Sequence, residues 1–214
     1  MPSIIRFVAA VKKREYRTSI RRGDAPQLIC AAAYRLFTTK GYLGTSIEDI
    51  AAEAGVARPT VFSAVGPKPV ILRAVADQAA TGDDARVPVS GRDWWREAVD
   101  EPDPRRSVRL HARNMRRIQQ RTVPLMKAVE AAAPIDADAA EIWTRYQRQR
   151  RKGMTEFVAS LMSKTSMRVA KQAAVDTLWM MAPDTYWRLV HERGWSLEKY
   201  EAWLADLLER VLLD

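Results

Sequence analysis

The stretch IEDIAAEAGVARPTVFSAVG, Ile47 to Gly66, stops a good helix and starts another three residues later. Gly55 interrupts an alanine-rich run, where a mid-helix glycine costs about 1 kcal/mol relative to alanine. As a turn residue it carries no such cost, because it enters the left-handed conformation without steric penalty. Two short helices joined by a three- to four-residue turn containing glycine make a helix-turn-helix. Ala51 is small enough for the next helix to cross close to it, and Val56 and Val61 fill the wedge. An ordinary αα-hairpin shares this outline but demands none of these choices.

The flanks extend the pattern. From Pro26, which suits a first turn, Ile29, Ala32, Ala33, Leu36 and Phe37 recur on one helical face until Gly41. A second helix starts after Thr45 or Ser46, either of which can cap it, with Glu48 and Asp49 at its positive end. A third runs from about Arg58 to Val65, and Pro67 opens a fourth through Val70, Ile71, Ala74 and Val75. The polar, broken segment TGDDARVPVSGRD, Thr81 to Asp93, places a domain boundary. Beyond it the periodicity predicts helices near 93–100, 104–120, 123–133, 137–163, 168–182, 183–192 and 196–212. β-branched runs of period two are scarce. The expected fold is all-α, with a three-helix helix-turn-helix domain joined by a fourth helix to a larger helical domain. The expected divisions are a basic arm over 1–25, a DNA-binding domain over 26–82 and a helical body over 83–214.

Charge supports that division. Residues 1–82 carry 12 Lys and Arg against 6 Asp and Glu, so +6 of the +9 net charge lies there. A basic module on a nearly balanced body favours a nucleic-acid partner, here double-stranded DNA. No apolar run reaches the ~18 residues that span a bilayer, and no signal-peptide pattern opens the chain, so a cytoplasmic protein without a membrane partner is expected. Cys30 is the only cysteine, which excludes an intrachain disulfide and a cysteine-based metal cage. No nucleophile–base pair, metal-ligand cluster or glycine-rich phosphate loop occurs, so neither an enzyme nor a cofactor or metal site is expected. A DNA-architectural protein without a ligand is the other alternative, and a filled C-terminal core would mark it.

ICAAAYRLFTTKGYLGTSIEDIAAEAGVARPTVFSAVGPKPVIL resembles the N-terminal domain of TetR-family transcriptional regulators. The resemblance rests on the Gly41–Tyr42 turn, Thr45, Ile50–Ala51, Ala54–Gly55–Val56, Thr60, Phe62, Lys68 and Leu72. Thr81–Asp84, Glu101–Arg106 and Ala182–Leu204 look like an actinobacterial type of the family. The resemblance implies a homodimer whose variable C-terminal domain binds a small ligand that weakens operator binding. Such a repressor reads a pseudo-palindromic operator.

In this motif the third helix enters the major groove by its N-terminal end. Arg58, Thr60 and Ser63 then point outward, with Pro59 beside them for apolar contact. Arg58 is the best base reader, since a guanidinium donates twice to one guanine, with a phosphate contact as the alternative. Tyr42, Thr45 and Ser46 are expected to hold phosphate, and so is Lys68 at the start of the fourth helix. The chain departs from the family at Ala57, where a capping serine is common, and at Ser63, which is shorter than the usual tyrosine. Phe62 lacks a hydroxyl and is expected in the core.

In the C-terminal body, Leu197, Tyr200, Leu204, Leu207 and Val211 form a seam widened by Trp203, Leu208 and Leu212. It serves either a single-chain core or a dimer; the resemblance favours the dimer, with Tyr186, Leu189 and Val190 joining. His191 is expected to complement a helix dipole. A second pattern mixes polar residues into aromatic and Met stripes: His111 with Met115, and Gln147 and Arg150 with Trp143 and Tyr146. Met126 and Trp179 add bulky surface. A satisfied core is one reading of this pattern and a ligand pocket the other. Arg150 either pairs with a carboxylate or faces a cavity, because an unpaired buried charge is too costly. The cavity alternative implies a mostly apolar effector whose acceptor or anionic group meets Arg150.

Overall fold

A computed structural model describes residues 24–83, 87–181 and 183–214. The expected basic arm lies outside the described residues but for Asp24 and Ala25. Among them no strand occurs; the sole bridge pairs Met167 with Leu213. Two compact units divide between Val75 and Ala76.

The first unit contains α1 (Ala25–Lys40), α2 (Ile47–Ala54), α3 (Arg58–Ala64) and the start of α4 (Lys68–Thr81). Pro26 lies in the first turn of α1, where no intrahelical N–H is needed, and Ile29, Ala32, Ala33, Leu36 and Phe37 are buried along one face. Ser46 caps α2: its hydroxyl accepts from Asp49 N at 3.0 Å while Asp49 accepts from Ser46 N at 3.0 Å. That reciprocal pair satisfies two end donors. Gly55 ends the helix at φ +70°, with Gly55 N donating to Ala52 O and Val56 N to Ala51 O. These two bonds close a Schellman turn, so the glycine is needed for its conformation. Ile50, Ala51 and Val61 are buried where α2 and α3 meet α1.

The second unit holds the end of α4, then α5 (Asp93–Asp100), α6 (Pro104–Ala132), α7 (Ala137–Met162), α8 (Lys171–Met180), α9 (Pro183–Tyr186) and α10 (Leu197–Leu212). Helix α6 is the axis, packing against α5, α7, α9 and α10. Its core partners include Phe157, Val158, Leu161, Tyr186, Tyr200, Leu204 and Leu208.

Three expectations change here. The predicted helices 104–120 and 123–133 are one helix with Pro124 inside. An interior proline costs about 3 kcal/mol, but Thr122, Val123, Leu125 and Met126 around it are all buried, and that packing holds the helix together. The helix predicted from 168 begins at Lys171, because Arg168 N donates instead to Leu212 O at 3.0 Å beside the Met167–Leu213 bridge. The segment 183–192 starts as α9 and continues as a π-helical turn over Trp187–Glu192.

Candidate nucleic-acid interface and the polar residues of the C-terminal unit

On α3, Arg58, Pro59 and Ser63 are exposed and Thr60 half-exposed. Arg58 Nε meets Glu48 Oε1 of α2 at 2.6 Å, and its guanidinium lies 5.2 Å from the Phe62 ring centroid. Both members of the ion pair are solvated, so the pair holds Arg58 only weakly. Phe62, expected in the core, is 42% exposed. It stands one helical turn after Arg58 on the outer face, while Val61 takes the inner position. Ser63 Oγ donates to Thr60 O at 3.3 Å.

The residues expected on phosphate fall into two groups. Ser46 is exposed at the α2 cap. Its backbone N–H, then its hydroxyl, then Lys40 hold the Asp49 carboxyl down at about pKa 2. Tyr42 and Thr45 are turned inward: the Tyr42 ring packs edge-on against Phe37, and Thr45 Oγ1 donates to Gly41 O at 2.8 Å. Lys68 Nζ donates to Tyr42 O and Thr45 O, both at 3.0 Å, and lies 4.2 Å from the Tyr42 ring centroid. Lys68 therefore ties the turn that presents Ser46.

The candidate ligand residues of the second unit also separate. Trp143 and Tyr146 pack at 5.8 Å on α7. Arg150 donates to Gln147 Oε1 at 2.5 Å and to Trp179 O at 3.1 Å, and lies against the faces of Tyr146 and Trp179. No carboxylate among the described residues pairs with Arg150. It remains half-exposed, and neutral acceptors and ring faces meet it instead. Burial lowers its pKa and raises that of Tyr146. Trp179 is 44% exposed.

His111 sits elsewhere, in the core. Its ring stacks on Phe157 at 3.7 Å, with Trp95 edge-on at 6.1 Å. Both ring nitrogens are buried without a hydrogen-bond partner, and burial pulls the pKa down to about 3, so the ring is neutral. Met115 packs half-buried against the same core, and Met126 is buried. No hydrogen bond, ion pair or ring contact joins His111 to the Arg150 group.

The seam residues divide as well. Tyr186, Tyr200, Leu204 and Leu208 are fully buried within the chain, whereas Leu189, Val190, Leu197, Trp203, Leu207 and Val211 are half-buried. Tyr200 Oη donates to Gln119 Oε1 at 2.8 Å, and Gln119 Nε2 to Met181 O at 3.0 Å, which fixes α10 on α6. His191, expected to complement a dipole, stacks on Trp187 at 4.3 Å, and burial lowers its pKa.

Sequence reasoning missed a cleft of about 200 Å³ lined by Thr81, Gly82, Trp94, Asn114, Arg117, Ile118 and Arg121. Arg117 and Arg121 lie one turn apart and Asn114 three residues before Arg117, so helical spacing carried the signal. Among the described residues no group of three or more His, Cys, Asp or Glu is placed to hold a metal ion. None of their helices is long and apolar enough to cross a membrane.

Residues 29–64 match the model of bacterial regulatory proteins of the tetR family. No curated protein matches the chain. Several solved structures share its fold. One, from Mesorhizobium loti and assigned to the TetR family, is 18% identical, with TM-score 0.66 over 92% of this chain and 100% of that one. The TetR-family regulator PfmR of Thermus thermophilus is 20% identical, with TM-score 0.60 over 87% and 99%. NalD of Pseudomonas aeruginosa, the secondary repressor of the MexAB-OprM multidrug efflux pump, is 18% identical, with TM-score 0.63 over 90% and 98%.

Proposed function

From a chain whose helix-turn-helix matches the tetR family of bacterial regulatory proteins, inside a TetR-like fold, we propose a ligand-responsive repressor that binds a pseudo-palindromic operator as a homodimer. One observation carries the DNA-binding part: the Schellman turn at Gly55 sets α3 with Arg58, Pro59, Thr60 and Ser63 outward and uncovered. In this role Arg58 leaves Glu48 and donates to a guanine, and Thr60 and Ser63 reach neighbouring base edges or phosphate. Ser46 and the free N–H groups of α2 take a backbone phosphate. Lys68, Tyr42 and Thr45 hold the turn in position, with Lys68 adding positive charge beside it.

Symmetry follows from reach, since one such module reads one half-site and a dimer reads two. The half-buried flank of Leu189, Val190, Leu197, Trp203, Leu207 and Val211 supports self-association, because it stays apolar after the chain's own core is complete. The Trp143, Tyr146, Gln147, Arg150 and Trp179 group supports a small-molecule effector surface, while His111 and Met115 belong to the core around Phe157. NalD's role as a repressor supports the repressive direction.

The test is recovery of genomic fragments by the purified full chain, followed by titration on the recovered site. A palindromic site bound as a dimer is expected, with affinity falling by about 10³ or more between 50 and 200 mM salt if about six phosphates are neutralised. Specific binding by a monomer, or no sequence preference, overturns the proposal.

A further inference from the structure

We propose that the cleft between the end of α4, α5 and α6 binds a small carboxylate that carries a hydrogen-bond donor on a short hydrocarbon body. Three observations converge on it. Arg105, Arg106, Arg109, Arg113 and Arg116 of α6 each pair with a carboxylate, yet Arg117, exposed at the cleft, makes no hydrogen bond or ion pair among the described residues. Arg121 lines the same cleft, and no carboxylate belongs to that lining among the described residues. Asn114, 2% exposed and also in the lining, donates through Nδ2 to Trp94 O at 2.7 Å, while its Oδ1 is buried with no partner.

Each observation selects part of the ligand. Guanidinium forks match a carboxylate in two-point geometry. A buried acceptor without a donor demands one, which a hydroxyl or amino group beside the carboxylate supplies. Trp94 and Ile118 give the hydrocarbon an apolar wall. At about 200 Å³ the cleft is below the range of about 300–1,000 Å³ that drug-sized ligands fill, so the body is short.

Arg121 gives occupancy a consequence. Its guanidinium donates to Ala79 O at 2.9 Å and Ala80 O at 3.4 Å, the last carbonyls of α4. An anion that draws on Arg121 competes with those carbonyls and loosens the last turn of α4. This deepens the ligand-responsive reading above; it rests on that reading for DNA release, but not for binding itself.

The full chain is titrated calorimetrically with 2-hydroxybenzoate, benzoate and inorganic phosphate, and operator binding is followed in parallel by fluorescence anisotropy. One 2-hydroxybenzoate per chain is expected, with benzoate about tenfold weaker for want of the donor and phosphate weaker still. Arg117→Glu, an exposed change, weakens 2-hydroxybenzoate about tenfold or more at unchanged melting temperature, and Arg117→Lys restores part of it. No binding at millimolar concentration, or equal binding by Arg117→Glu, overturns the site. Equal binding of benzoate overturns the role given to Asn114. Binding without DNA release upholds the site and overturns its coupling to DNA through α4.

Discussion

Two residues show how local chemistry sets behaviour here. Arg58 pairs with Glu48 at 2.6 Å, so the proposed DNA contact has a competitor built into α2. Arg58→Ala is expected to cost about 1–3 kcal/mol per bidentate base contact and to relax preference at one position of each half-site. Glu48→Ala is expected to do the reverse: tighter binding to all sequences, with stability changed by less than about 1 kcal/mol because the pair is exposed. Anisotropy against matched and mismatched duplexes separates the two. His111 is the opposite case, a neutral ring with nothing to bond. Its folded pKa of about 3 lies below the unfolded value near 6.5, so the unfolded chain binds the extra proton between those limits. Stability is therefore undiminished above about pH 6.5 and falls by about 1.4 kcal/mol per pH unit toward pH 3. His111→Leu is expected to flatten that slope in urea melts taken across the window. An unchanged slope would place the titrating group elsewhere.

At the scale of helices, Pro124 offers the clearest test. It removes one N–H from the middle of α6 and leaves the Gln120 carbonyl without its intrahelical donor. Pro124→Ala is expected to stabilise the chain by about 1–3 kcal/mol, read as a rise in melting temperature. A fall would mean that the helix is shaped around the proline ring. The same residue shows where sequence reading succeeds and stops. The first unit was legible because its boundaries are local: Pro26, the Ser46–Asp49 box and Gly55 each act on neighbours within five residues. The continuity of α6 was not, because burial of Val123, Leu125 and Met126 against distant elements outweighs the break that Pro124 signals. The late start of α8 likewise depends on Leu212 and Leu213, more than forty residues away. Among the candidate site residues, exposure of Arg58, Pro59 and Ser63 followed from helical phase. The inward turn of Thr45 and the exposed Phe62 did not, although their partners Gly41 O and Arg58 are only four residues away, because residue type (a hydroxyl outward, a ring inward) pointed the other way from position.

For the molecule as a whole, the question is what covers the outer flank of α10. Leu207 and Val211 are half-buried while Leu204 and Leu208 are enclosed. If the proposed dimer uses this flank, Leu207→Asp leaves the chain folded but monomeric, with a sedimentation mass of about 24.3 kDa, and abolishes tight binding to the recovered DNA site. A folded variant that stays dimeric would move the interface off this flank. The position of the unit division bears on descent as well as on assembly. It falls between Val75 and Ala76, inside the uninterrupted helix α4, whose last carbonyls are held by Arg121 from α6. A recombination event that exchanged the first unit at that division would splice two half-helices in phase or ruin both, since one residue of slip rotates everything beyond it by about 100°. An exchange that carried α4 whole would escape that constraint, needing only a receiving body whose α6 offers the guanidinium that Arg121 supplies here.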